Sequence, residues 1–306
     1  MIKKITVQNF FSFGNEQTIE LNLDTNILVG INGSGKSNFI RILKLLQQGM
    51  NKGFEKLFSH QWGGFSSVSN LNDSSLNQIK LSFQLENEVS SVENNELAMY
   101  EISINSLGNS DYSLEECFKE EGAVGTKLVK SLKVTGKYKR EIGDLVKQLT
   151  TSPSKLELLS DLKNINIYDY FNTSFTGDIR QLSPYYSETS LLADGRNLTS
   201  LLSYLNANSI KAFDKIVEEL KNVNPNFKEL VFATPLAGKT LLMLKEKNLD
   251  RAISVEFISD GTLRYLLLLA IFYNPNRGKI VCIDEPEAGL HPDMINGVAI
   301  IICVPC

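Results

Sequence analysis

Three short stretches of this chain bring together residue types that do chemistry in company. GINGSGKS, residues 30–37, spells Gly-x4-Gly-Lys-Ser, the Walker A pattern. Glycines in such a loop let successive backbone N–H groups turn inward and surround phosphate oxygens. Lys36 would then reach the β- and γ-phosphates, and Ser37 would offer its hydroxyl to Mg2+. The second stretch, IVCIDEPEAGLHP at 280–292, runs four apolar residues into Asp284 and Glu285, a Walker B pattern. Asp284 would hold Mg2+ through water, and Glu285 would polarise an attacking water as general base. An Asp-Glu pair alone is weak evidence, and it gains meaning beside a complete Gly-Lys-Ser loop. The third stretch is ISDGTLRYLLLLA at 258–270, where Ser259, Asp260 and Gly261 open an apolar helix. A helix N-terminus attracts anions wherever it lands, although this one taken alone is an ordinary capped core helix.

Chemistry of this kind needs elements to hold it. NILV at 26–29 is a short apolar run of the type expected for a strand buried on both faces. After the glycine loop, Phe39, Ile42, Leu43 and Leu46 recur at helical spacing. The loop therefore reads as strand, turn and helix, the context a phosphate site requires. Residues 2–10 and 18–23 alternate like half-buried strands, and 60–75 read as loop. IKLSFQLE (79–86), MYEISI (99–104) and KLVKSLKV (127–134) point to an antiparallel β region inserted into the main fold. Residues 141–170 read as helical in part, broken at Ser152-Pro153. Helices are expected over 198–207 and 210–223, the second with Ile210, Phe213, Val217 and Leu220 on one face and Pro225 beyond its end. Strands follow at 227–234 and 239–247, then a helix from about Gly261 and a strand at 279–284. The expected organisation is one composite domain over 1–306. It comprises a Walker A lobe (1–75), an inserted β and helical region (76–180), a helical signature lobe (181–265) and the Walker B segment (266–306).

Composition bounds the alternatives. The chain has 306 residues, 42% hydrophobic and 22% charged, enough for a sizeable core in an ordinary globular protein. Its net charge of −4 gives no global signal for nucleic acid. The greasiest window, YLLLLAIFY at 265–273, is far short of the ~20 residues a membrane helix needs and reads as core. The polar N-terminus is unlike a signal peptide, so a cytoplasmic protein is expected. The four cysteines show only one C-x-x-C, at 303–306, and read as reduced thiols. Two histidines, His60 and His291, are too few and too distant to suggest a zinc site.

The three motifs in this order resemble the head of an ABC-type ATPase, of the SMC, RecF and OLD-like kind. The resemblance is greatest to AAA-family ATPases found in bacterial anti-phage defence systems. It is carried by IKKITVQNFFSF at the start, GINGSGKSNFI, LLADGRNLTSLL (191–202), ISDGTLRYL and DEPEAGLHP, and it is weakest over 87–180. It implies an α/β P-loop fold with a mixed central sheet, an inserted antiparallel region and a helical signature lobe. It implies that Asn32, Gly33, Ser34, Gly35, Lys36, Ser37 and Asn38 bind ATP, that Ser37 and Asp284 serve Mg2+, and that Lys36 and Glu285 are catalytic. Ser259, 25 residues before Asp284, would act with Gly261 on the triphosphate held by a second copy. Gly289, Leu290 and His291 would line the dimer seam, with a local turn role as the alternative for His291. Phe11 and Phe13 would lie near the adenine or in the core, and core is the favoured reading.

The family pattern is incomplete here. Gln61, 25 residues after Lys36, is the nearest candidate for the glutamine that couples nucleotide to the rest of the molecule. Relatives continue beyond the Walker B segment with a helix, another buried strand and a switch histidine, whereas only 15 residues follow His291 here, with no Thr-His-Ser segment and no nuclease domain. A truncated product, or a site completed by another chain, is therefore expected, with binding of ATP better founded than fast hydrolysis. The leading expectation is an ATP-driven homodimerising switch that controls a nuclease or toxin on a separate chain. The alternatives are a RecF- or SMC-like DNA-clamping ATPase, a transporter nucleotide-binding domain and a hydrolysis-deficient scaffold. The six Lys or Arg of segment 127–140 would serve the DNA-clamping alternative, although a solvated strand face accounts for them as well.

Overall fold

The fold is seen in a computed structural model that describes residues 1–51, 53–72, 76–86, 97–108, 111–122, 125–135, 161–184 and 188–303. It divides into two compact units, Met1–Ile165 and Asn166–Cys306.

The first unit is built on a six-stranded antiparallel sheet in the order β2-β1-β3-β4-β5-β6. β1 (Ile2–Gln8) lies between β2 (Gln17–Glu20) and β3 (Gln78–Glu86); β4 (Leu97–Gly108), β5 (Asp111–Gly122) and β6 (Gly125–Thr135) continue as a meander. Strict alternation builds its core: Ile79, Leu81, Phe83 and Leu85 of β3 are buried, as are Tyr100, Ile102 and Ile104 of β4. β5 was not legible as a strand because a carboxylate interrupts its apolar face. Glu116 is buried between Leu114 and Phe118 and accepts a hydrogen bond from Tyr100 Oη at 2.7 Å. On β6 the backbone register sets Lys133 opposite Glu115 and Lys127 opposite Glu120. Lys137, Lys139 and Arg140, and the break at Ser152-Pro153, lie outside the described residues.

α1 (Lys36–Met50) follows the glycine loop and buries Phe39, Ile42, Leu43 and Leu46, the face that the spacing predicts. A one-turn helix, α2 (Phe65–Val68), and a π-helical turn, Lys56–Gln61, occupy part of the expected 60–75 loop. The run at 26–29 departs from expectation. It forms no strand, and Ile27 and Val29 are 71% and 89% exposed. An apolar run becomes a buried strand only where neighbouring strands flank it, and none of the described strands pairs with these residues.

The second unit places helices against antiparallel strands. β9 (Phe227–Leu236) and β10 (Lys239–Glu246) form a hairpin extended by β8 (Ser183–Pro184) and β11 (Ile253–Ser254). α3 (Leu198–Asn208) and α4 (Ile210–Val223) contribute Leu201, Leu205, Phe213 and Ile216 to the core. α5 (Asp260–Tyr273) is buried over most of its surface, including every residue from Tyr265 to Ile271, as expected for a helix apolar all round. α6 (Pro292–Cys303) follows the Walker B segment. A separate parallel pair joins β7 (Asn166–Tyr168) to β12 (Val281–Ile283). β7 corrects the helical reading of 141–170 at its end, since three residues are too few to show a period and the partner strand decides. No helix among the described residues is long and apolar enough to cross a membrane.

Candidate functional site

The glycine loop of the first unit has the backbone its sequence calls for. Gly33 and Gly35 stand at φ 83° and 97°, where only glycine is unstrained. At Gly35 a Cβ would also come within 2.8 Å of Ser12 Oγ. α1 begins at Lys36 with no acidic residue in its first turn, so its N-terminal field is open to an anion. Lys36 Nζ donates to the carbonyls of Gly30 at 2.6 Å and Ile31 at 3.1 Å, closing the loop on itself. Asn32, Gly33, Ser34 and Ser37 are exposed around it. Two positive-φ glycines, a lysine and an acid-free helix start fit a nucleotide triphosphate.

One flank of this loop escaped the sequence reading. Asn38 Nδ2 donates to Ser12 Oγ at 2.8 Å, and Arg41 donates to Asn38 Oδ1 at 2.7 Å. The Arg41 guanidinium lies 4.7 Å over the ring of Phe11, which packs edge-on against Trp62. Phe11 is held at φ 47° because Asn70 Nδ2 binds its carbonyl at 2.7 Å and its own N–H binds Val68 O. Phe13 is buried, the core alternative of the two expected for it. Gln61 is exposed at the end of the π-helical turn, beside Trp62 in sequence.

In the second unit, the parallel register of β7 and β12 sets Ile283 opposite Tyr168, and the Asp284 N–H continues the ladder to Tyr168 O at 3.0 Å. Asp169 and Asp284 therefore leave the ends of two adjacent strands side by side. With Glu285, Pro286, Tyr170, Phe171 and Arg264 they line one cleft at the carboxyl edge of the pair. Glu285 adopts φ 48°, an unusual conformation for a non-glycine residue and one that clusters at functional positions. Burial, followed by the charges of Asp169 and Asp284, pushes the Cys282 thiol up to about 12, so it is inert beside them. Among the described residues no three His, Cys, Asp or Glu side chains form a metal cage. Mg2+ held by one or two protein oxygens and by phosphates needs no such cage.

Ser259 caps α5: its Oγ accepts from Thr262 N at 3.2 Å, and its carbonyl accepts from Leu263 N. Gly261 backs onto the loop after the acids, since a Cβ there would stand 3.2 Å from Gly289 O. Arg264 crosses the same contact, donating to Ala288 O at 3.0 Å and to Thr173 Oγ1 at 3.3 Å. The two motifs are thus one packed assembly within this unit. His291 stands before Pro292 at the start of α6, where its Nδ1 accepts from Asp293 N at 3.4 Å and its carbonyl accepts from Met294 N. A helix-capping turn thus occupies it.

Two further segments are settled by packing. In DGRNL, Gly195 lies at φ 72°, and a Cβ there would come within 2.7 Å of Leu267 on α5 and 3.0 Å of Phe171. Asn197 is 6% exposed, donates to Ser190 O and Glu188, and accepts from Leu192 N. The motif seats α3 against α5 and the strand end that bears Asp169. Residues 233–240, ATPLAGKT, repeat the Walker A spacing, yet they form the β9–β10 hairpin. The hairpin offers no helix N-terminus, and the Thr240 hydroxyl is buried, at 1% exposure, away from any phosphate.

A phosphate loop that opens a helix, together with paired acids at a parallel strand end, defines a P-loop nucleotide-binding protein. The chain belongs to the family described as "AAA domain, putative AbiEii toxin, Type IV TA system", whose profile matches residues 25–304. No curated protein matches it significantly in sequence. Among solved structures it is similar to the SMC head domain from Thermotoga maritima, at 12% identity and a TM-score of 0.45, over 98% of this chain and 83% of that one.

Proposed function

We propose that this chain is an ATP-binding and ATP-hydrolysing switch that dimerises head to tail around ATP and thereby controls a partner effector. The observation that carries the reading is the packing of Gly261 on Gly289, braced by Arg264. It ties the helix start that would meet a second copy's triphosphate to the loop behind the catalytic acids, so either end can report on the other.

The residue roles follow from the chemistry of each group. Lys36 leaves the Gly30 and Ile31 carbonyls and neutralises phosphate charge, while the N–H groups of 33–37 hold phosphate oxygens. Ser37 and Asp284 offer oxygens to Mg2+, which when bound would withdraw charge from the phosphates. Glu285 takes a proton from the attacking water. Ser259 and the first N–H groups of α5 contact the triphosphate of the other copy, and hydrolysis removes the group they hold. The family description names a putative toxin and a type IV toxin–antitoxin system, which supports a place for this chain in such a pair; control of an effector, anti-phage defence and a cytoplasmic location are part of the proposal.

The test is the solution mass of the full chain carrying Glu285→Gln, with and without ATP and Mg2+. Loss of the base should lower hydrolysis by about 10²–10⁴-fold while leaving binding intact, and should trap a dimer. A variant that binds ATP and stays monomeric would refute the switch. Wild type that dimerises without turnover would identify the hydrolysis-deficient scaffold.

A further inference from the structure

Asp260 poses an electrostatic problem at the proposed phosphate contact of α5. The first turn of α1, the other phosphate site, carries no acid, whereas the first turn of α5 carries Asp260. An acid there complements the helix dipole and competes for the same field with an arriving phosphate. The side chain is 62% exposed, so its charge would face that anion.

Arg180 answers the problem from beneath. It ends the 3-10 turn Asp178–Arg180 and is 5% exposed. Its Nε donates to Thr173 O at 2.8 Å. Its Nη1 donates to the carbonyls of Val255 at 3.0 Å, Glu256 at 3.0 Å and Ile258 at 2.6 Å. Its Nη2 donates to Asp260 Oδ1. Four carbonyls fix the guanidinium under the segment that delivers Ser259, and its charge is met by the Asp260 carboxylate. Burying a cation is costly unless it is paired, and only the planar fork of arginine reaches this set of acceptors.

We propose that Arg180 is a positioning residue whose guanidinium neutralises Asp260 and so keeps the N-terminus of α5 open to the phosphate of a nucleotide held by a second copy. This rests on the dimerising switch proposed above. A purely structural brace would predict the same stability losses, so the test must separate charge from bracing.

The experiment follows ATP-driven association of the full chain in the Glu285→Gln background, alongside thermal unfolding. Asp260→Asn should lower the unfolding midpoint, because it removes the partner of a buried cation. The same variant should associate at an ATP concentration lower by about tenfold, the scale of a charge at a helix terminus. Arg180→Gln should lose association, and Arg180→Gln with Asp260→Asn should recover it although the carbonyl contacts are still missing. If Asp260→Asn weakens association along with stability, or the double variant is no better than Arg180→Gln, Arg180 is only a brace. Should Arg180→Gln fail to fold, the sign of the Asp260→Asn effect decides. A Glu285→Gln parent that never associates overturns the switch and this inference together. That result is distinct from a parent that associates while Asp260→Asn moves the wrong way.

Discussion

Lys36 rests on the carbonyls of its own loop, so nucleotide binding exchanges two neutral acceptors for a charged one. The ammonium's bonds to these carbonyls are already charge-assisted, and phosphate adds a full opposite charge at the same site. Lys36→Ala should therefore weaken ATP binding by roughly 10–100-fold with little change in unfolding temperature, as measured by nucleotide titration. Tyr265 is the opposite kind of residue, a polar group whose position serves packing alone. Its Oη is buried and lacks a hydrogen-bond partner among the described residues, and a Cβ at Gly297 would stand 2.6 Å from it. Burial, then the charge of Glu219, pushes its phenol up to about 12. The unfolded phenol titrates near pH 10, so this contribution to stability is whole below about pH 10 and is lost as pH rises toward 12. Tyr265→Phe should be neutral to stabilising by about 1 kcal/mol near pH 7 and should soften alkaline unfolding, as read by denaturant titration at pH 7 and 10.5. Burial raises Tyr168 in the same way, so part of the alkaline loss should remain.

Helix α5 links most of what matters in the second unit. Its N-terminus presents Ser259, its flank holds Gly289 through Arg264, and its middle receives Gly195. Gly195 combines a positive φ with contact on two side chains, so no larger residue fits without moving α5. Gly195→Ala should cost about 1–3 kcal/mol, seen as a lowered melting temperature. The contrast with Gly33 is informative: its φ is equally unusual, but a Cβ there meets nothing within 4 Å, so only backbone strain would be felt. DGRNL thus acts through packing, and no chemistry of its own side chains is needed to account for it.

For the molecule as a whole, the two units carry different halves of the expected chemistry, phosphate binding before Ile165 and the acids with the signature helix after Asn166. The solution mass of Glu285→Gln with ATP therefore tests the assembly rather than either unit.

The sequence by itself determined the motifs and most elements. Gly-x4-Gly-Lys-Ser, the acids after a short apolar run and the serine-capped helix are local patterns, and their backbone requirements are met within a few residues. The strands of the meander and the face of α1 were legible because side-chain period follows from backbone geometry. Only the tertiary structure decided the rest. β5 was hidden because Glu116 occupies a core position whose partner, Tyr100, lies on another strand. β7 was hidden because three residues become a strand only when β12 pairs with them, and Asp169 becomes a neighbour of Asp284 by the same register. The run at 26–29 looked like a buried strand, yet burial is a property of neighbours that no local pattern supplies. Arg180 was invisible for a like reason: its acceptors at Thr173, Val255, Glu256, Ile258 and Asp260 are up to 80 residues away and converge only in the folded chain.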